Sequence, residues 1–169
     1  MVQLTPDEVL DRQVLSASLR AVRKRRGMRP EAVAEAMALP LRTYQYFEAG
    51  RGGLRLDLLR PFALATRSDP WAIVLGVGMR DPHFAVRAMN YKIGSVILIL
   101  LKGLNTQAGD LLGRLDVATL LSRLRPAFDL LVQDALVGDP GQSWLDDNVQ
   151  ALASRSAPSD QGDEDDHEE

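Results

Sequence analysis

A chain of 169 residues with 46% apolar side chains is long enough for one ordinary domain or two small ones. Aromatics make up only 5% while Leu and Ala are abundant, which favours helices over a sandwich or barrel and sets the expected fold class as all-α. Cysteine is absent, so disulfides and thiolate metal sites are excluded, and the net charge of −3 conceals a division: residues 12–67 carry 12 Lys or Arg against 4 acids, residues 81–169 carry 7 against 15.

In chain order, the start MVQLTPDEVLD lacks the basic flank and apolar core of a secretory signal, and a cytoplasmic location is expected. Thr5-Pro6-Asp7-Glu8 reads as a helix start, with a Thr cap, Pro at the first helical position and Glu at the capping-box position. The helical pattern runs through Val9, Leu10, Val14, Leu15, Leu19 and Val22 to Gly27. Its last turns hold Arg20, Arg23, Lys24, Arg25 and Arg26. Some of these cations suit a helix C-terminus; five within seven residues exceed that need and point to phosphate contact.

Arg29 to Arg51 reads as two short helices joined by a tight turn. Val33, Met37, Leu39, Tyr44 and Phe47 recur at the spacing of crossed helices sharing a small core, with Ala34 where the backbones approach. Arg42, Thr43, Gln45 and Tyr46 form a polar face of a size that fits a major groove. Ala49-Gly50-Arg51-Gly52-Gly53 is a loop, Leu56–Ala65 a further helix with Pro61 tolerable only near its start, and Asp69-Pro70 a new helix start. Five helices by about residue 77 make a compact basic domain, whose charge suits a polyanion.

Leu19-x3-Arg23-x3-Gly27, Glu31-x-Val33-Ala34, Thr43-x4-Glu48-x-Gly50-Arg51 and Ala63-x-Ala65 together resemble the Cro/C1-type helix-turn-helix, the XRE family of bacterial and phage transcriptional regulators. The resemblance covers residues 15–77 and departs from the family pattern at Pro30, Ala38 and Ala49. It implies an N-terminal DNA-binding domain, residues 1–80, whose recognition helix spans residues 41–48. It further implies that Leu41, Arg42, Thr43, Gln45 and Tyr46 face the major groove. Arg23, Arg29, Arg51 and Arg55 are expected on phosphates, with Arg51 or Arg55 alternatively pairing with Glu48 or Asp57.

Asp81-Pro82 restarts the chain, and residues 81–153 are expected to form a helical dimerisation or regulatory domain. From His83 to Leu104 the pattern is helical, and Ile93–Leu101 is apolar nearly all round, too short to span a bilayer. A buried role against a second copy follows, with Ile93, Val96, Ile97, Leu98, Leu100 and Leu101 as the expected dimer interface. A further helix is expected to stop before Pro126, another to run from Pro126 to Val137, and a short last one to begin at Ser143 and end at Leu152. Residues 154–169 are expected to be a disordered acidic tail, since 156–169 hold 7 acids and no Lys or Arg.

No catalytic constellation is present. The only histidines, His83 and His167, lack neighbouring ligands, and Gly76-Val77-Gly78 is an incomplete phosphate-loop pattern best read as a linker. No enzyme activity, cofactor or metal is expected, and no membrane. The expected partners are double-stranded DNA and a second copy, since such units usually read half-sites about one helical turn apart. The expected function is a homodimeric repressor on a palindromic operator. Two alternatives stay open: an activator touching RNA polymerase through the C-terminal domain, and an antitoxin-like autoregulator whose second half grips a partner protein.

Overall fold

The computed structural model describes residues 4–137, which form helices throughout with no strand among them. In order these are α1 (Pro6–Arg25), α2 (Pro30–Ala36), α3 (Leu41–Glu48), α4 (Leu56–Ala65), α5 (Pro70–Gly78), α6 (Pro82–Ala88), α7 (Ile93–Ala108), a 3-10 segment (Gly109–Arg114) and α8 (Val117–Val137). The helix expected between Ser143 and Leu152 and the acidic tail lie outside the described residues. The chain divides into two compact units, Met1–Gly109 and Asp110 onward.

Local chemistry accounts for where the helices start. Thr5 and Glu8 close a full capping box on α1, and Asp69 and Asp81 cap α5 and α6 by accepting from the amides of Trp71 and His83. Pro30, Pro70 and Pro82 each occupy a first turn, where a missing N–H costs nothing. Helix ends are less regular in composition. Gly27, Ala38, Gly50, Arg67 and Arg80 all take left-handed backbone, φ +64, 53, +69, 48 and 55. After each, the next amide reaches back to a carbonyl five residues earlier, as Leu39 N does to Ala34 O and Ser68 N to Ala63 O. Three of these five ends therefore carry a side chain where glycine would be unstrained.

The first unit has one continuous core. Leu15, Leu19 and Val22 of α1, Val33 of α2, Tyr44 of α3, Leu59 and Phe62 of α4 and Ile73 of α5 are almost wholly removed from solvent. Phe47 and Phe62 meet edge to face at 6.0 Å. Pro61 sits mid-helix in α4 rather than near its start; the carbonyl it leaves bare is that of Asp57, in the exposed first turn where water replaces the lost partner.

The expected boundary at Asp81 is not where the compact unit ends. α6 packs on both α1 and α5, burying Ala85, Ala88 and Met89, so it belongs to the first core. The helical pattern from His83 to Leu104 is interrupted at Met89–Lys92, where Lys92 turns left-handed at φ 54. This turn is tied to α1 and α4 through Arg26, which donates to Asn90 Oδ1 and to the carbonyls of Thr66 and Arg67, and through Lys92, which donates to Ser68 O.

α7 then starts flush against α5. A Cβ on Gly94 would lie 2.5 Å from Ala72 N, so only glycine permits the approach. Asp69, wholly buried, accepts from the amide and hydroxyl of Ser95 as well as from Trp71, capping two helices with one carboxylate. Beyond that first turn α7 is open to solvent. Val96, Leu98, Leu100 and Leu101 of the expected dimer surface are exposed, as is Ile99, while Ile93 and Ile97 are half-buried.

In the second unit the chain does not break at Pro126: α8 is continuous from Val117 to Val137. Proline removes one hydrogen bond, from the carbonyl of Ser122, and both residues are exposed so that water takes its place. Among the described residues no single helix is long and apolar enough to cross a membrane, although α6 with the segment from Ile93 to Arg114 passes by composition as a bent pair.

Candidate nucleic-acid interface

The pair α2–α3 is assembled by its apolar residues. Val33, Ala34 and Met37 point inward from α2, and Tyr44 and Phe47 from α3, with the 2% exposure of Ala34 marking the close crossing of the two helices. The turn between them closes through Ala38 and Leu39 onto Glu35 and Ala34. Ala38 is left-handed with no glycine to relieve it, a cost of roughly 1 kcal/mol. Ala38→Gly is therefore expected to stabilise the unit by at most about 0.5 kcal/mol after the entropy of glycine is counted, as a small rise in urea midpoint at unchanged slope.

With that face inward, Arg42, Thr43, Gln45 and Tyr46 stand on the outer side of α3, all exposed. Leu41, expected beside them, is half-buried and packs against the core, so it contributes anchoring as well as surface. Tyr46 is 53% exposed and its hydroxyl approaches Arg51 O at 3.5 Å. Gly52 lies between Tyr46 and Arg55: a Cβ there would be 3.8 Å from the Tyr46 ring and 3.7 Å from Arg55 Cγ. The loop after α3 thus brings Arg55 next to the exposed face.

The orientation of α3 is held by a buried polar cluster. Glu48 is 6% exposed, and its Oε1 accepts from Arg23 Nε at 2.6 Å and from the Tyr44 hydroxyl at 2.7 Å. Its Oε2 accepts from Arg23 Nη2, while Arg23 Nη1 donates to Met28 O. Burial, and then the hydrogen bond to Glu48, push the Tyr44 hydroxyl far above the ordinary tyrosine range, so it stays a donor. The same Glu48 bond raises Arg23. Arg23, expected on a phosphate, thus places one N–H of each of its three nitrogens within the protein, joining α1 to α3 and to the loop before α2.

Other cations divide similarly. Arg26 is spent on α4 and Asn90. Arg55 forms an ion pair with Asp57, which holds the Asp57 carboxyl below the usual range; both are exposed, so water screens the pair and phosphate can compete for the guanidinium. Arg20, Lys24, Arg25, Arg29, Arg42 and Arg51 expose their side chains to solvent.

One residue of this region, Arg12, had no sequence signal. Arg12 donates to Arg51 O, and its own carbonyl lies 2.4 Å from where a Cβ on Gly50 would be, so α1 presses directly on the end of α3. The glycine was visible as a loop residue; the partner that demands it lies 38 positions earlier.

Among the described residues no three His, Asp or Glu side chains converge as metal ligands. Comparison of the chain with protein-family profiles, curated proteins and solved structures gives no match.

Proposed function

We propose that the chain is a sequence-specific double-stranded DNA-binding regulator of the Cro/C1-type helix-turn-helix kind, acting as a homodimeric repressor. The observation that carries this reading is the division of α3 into a buried side, Tyr44, Phe47 and Glu48, and an exposed polar side, Arg42, Thr43, Gln45 and Tyr46. An eight-residue helix braced from behind by two others, with four adaptable donors and acceptors in front, suits insertion into a major groove. Exposed arginines at Arg29, Arg51 and Arg55 flank it on the chain and suit the phosphates on either side. Arg42 matches a guanine edge and Gln45 an adenine edge, while the exposed side of α7 would join two copies on adjacent half-sites.

Genome-wide mapping of bound DNA, followed by binding to the best site, tests this. Arg42→Ala with Gln45→Ala should cost about 1–3 kcal/mol per lost base contact and flatten the preference among sites, with no change in thermal unfolding because both residues are exposed. Arg51→Ala should weaken all sequences alike and reduce the salt slope by about one. Undiminished site preference in the double variant would exclude α3 as the reading helix.

A further inference from the structure

Among the described residues the second compact unit holds one long helix, α8, and every residue of it is exposed. Most helical stability in proteins comes from packing an apolar face rather than from propensity. Six of its apolar residues fall on one line, with Leu130, Leu136 and Val137 off it. Val117, Leu121, Leu124, Phe128, Leu131 and Ala135 follow one another at alternating intervals of four and three, the 3.5-residue repeat by which two helices mesh along a seam. On the opposite side stand Thr119, Pro126 and Gln133, seven apart. Pro126 thus occupies the outermost position of the repeat, where its missing N–H and the bare carbonyl of Ser122 face water and leave the seam undisturbed.

We propose that α8 pairs along this seam with a second copy of the chain, so that α7 is not the whole of the dimer interface. The inference rests on the pairing put forward above and adds the helix that carries its larger part. Area supports it. At roughly 100 Å² of apolar surface per large side chain, the exposed seam and flanks of α8 offer about 400 Å² per copy and the exposed side of α7 about 300 Å². Of the ~800 Å² that each partner of a specific complex buries about 60% is apolar, roughly 500 Å², and the α8 surface by itself comes close to that. Charge supports a like partner as well. α8 carries Arg123 and Arg125 against Asp129 and Asp134, so two copies meet without net repulsion, and no cationic face favours an anionic membrane surface.

The chain has no cysteine, so single cysteines report pairing without background. In the full chain, Leu124→Cys on the seam is expected to give disulfide-linked dimers on mild oxidation, and Thr119→Cys on the outer side is not. Sedimentation velocity at micromolar concentration is expected to show a dimer. Leu121→Asp with Phe128→Asp should raise its dissociation constant by at least about 100-fold, while Thr119→Asp with Gln133→Asp leaves it unchanged. The thermal unfolding of the first unit, whose core lies within residues 14–89, should be the same in both pairs.

A dimer that survives the seam substitutions overturns the assignment to α8 and leaves pairing through α7 standing. A monomeric wild-type chain overturns both, without bearing on whether α3 reads single half-sites. A monomer that floats with phosphatidylcholine vesicles, or one that assembles only with a different protein, overturns the second copy as occupant.

Discussion

Glu48→Ala should destabilise the first unit by about 3–5 kcal/mol, the cost of leaving a buried charge without its partner. Arg23 is only 12% exposed at its side chain and among the described residues has no other carboxylate within hydrogen-bonding reach, and Tyr44 loses the acceptor for a wholly buried hydroxyl. Urea unfolding at fixed pH measures this directly. The loss is that of a stranded charge and not of an indispensable attraction. Arg23→Met with Glu48→Leu, which removes both charges and keeps the volume, should therefore recover much of the stability. The double variant also separates two roles. If the cluster merely holds α3 in place, the recovered protein binds DNA nearly as before; an independent phosphate contact from Arg23 would show as a reduced salt slope. A cost below about 1 kcal/mol for Glu48→Ala would mean that the pair is not effectively buried.

Asp69→Ala is expected to cost about 3–5 kcal/mol. One carboxylate serves the first turns of α5 and α7, accepting from Trp71 N at 3.1 Å, Ser95 N at 3.0 Å and Ser95 Oγ at 2.7 Å. Removing it forfeits two caps worth about 1 kcal/mol each and strands donors in a partly buried site at a further 1–3 kcal/mol. Ser95→Ala, which loses the hydroxyl bond alone, should cost about 1 kcal/mol. Amide hydrogen exchange gives the finer readout. The first turn of α7 should lose protection in Asp69→Ala to a greater degree than α1 or α3, because Lys92 at the cap position of α7 offers no side-chain bond of its own. Uniform loss across the unit would show that α7 unfolds only with the whole core.

These two residues also mark how far the chain could be read in one dimension. Glu48 stood in the sequence as the end of a helix, and Arg23 as one of five cations; nothing in their spacing says that they meet. Asp69 was legible as the cap of α5, through the Asp-Pro pair, but not as the cap of α7, since Ser95 lies 26 residues away. Spacing alone places Arg23 with the phosphate-facing cations; the structure shows three of its N–H groups donating inside the fold. Pro126 reads in the sequence as a break, and α8 runs through it. A proline costs a helix one hydrogen bond and crowds the carbonyl four residues back; on an exposed face water takes up that carbonyl and the helix can continue.

What the sequence determined by itself was local. Helix starts at Thr5, Asp69 and Asp81 follow from side chains capping amides two or three residues on, and the start at Pro30 from the fixed φ of proline in a first turn. The inward faces of α1, α3 and α4 follow from the 3.6-residue repeat. The same repeat leaves Arg42, Thr43, Gln45 and Tyr46 on the outside of α3. Only the tertiary structure decided which cations are free. It likewise decided that glycine is obligatory at positions 50 and 94, where the backbones of Arg12 and of Trp71–Ala72 approach, and that the first unit runs on to Gly109. Each of these depends on a contact between residues far apart in the chain. A charge's partner and a glycine's neighbour are properties of the packed core, and neither is written in the residues beside it.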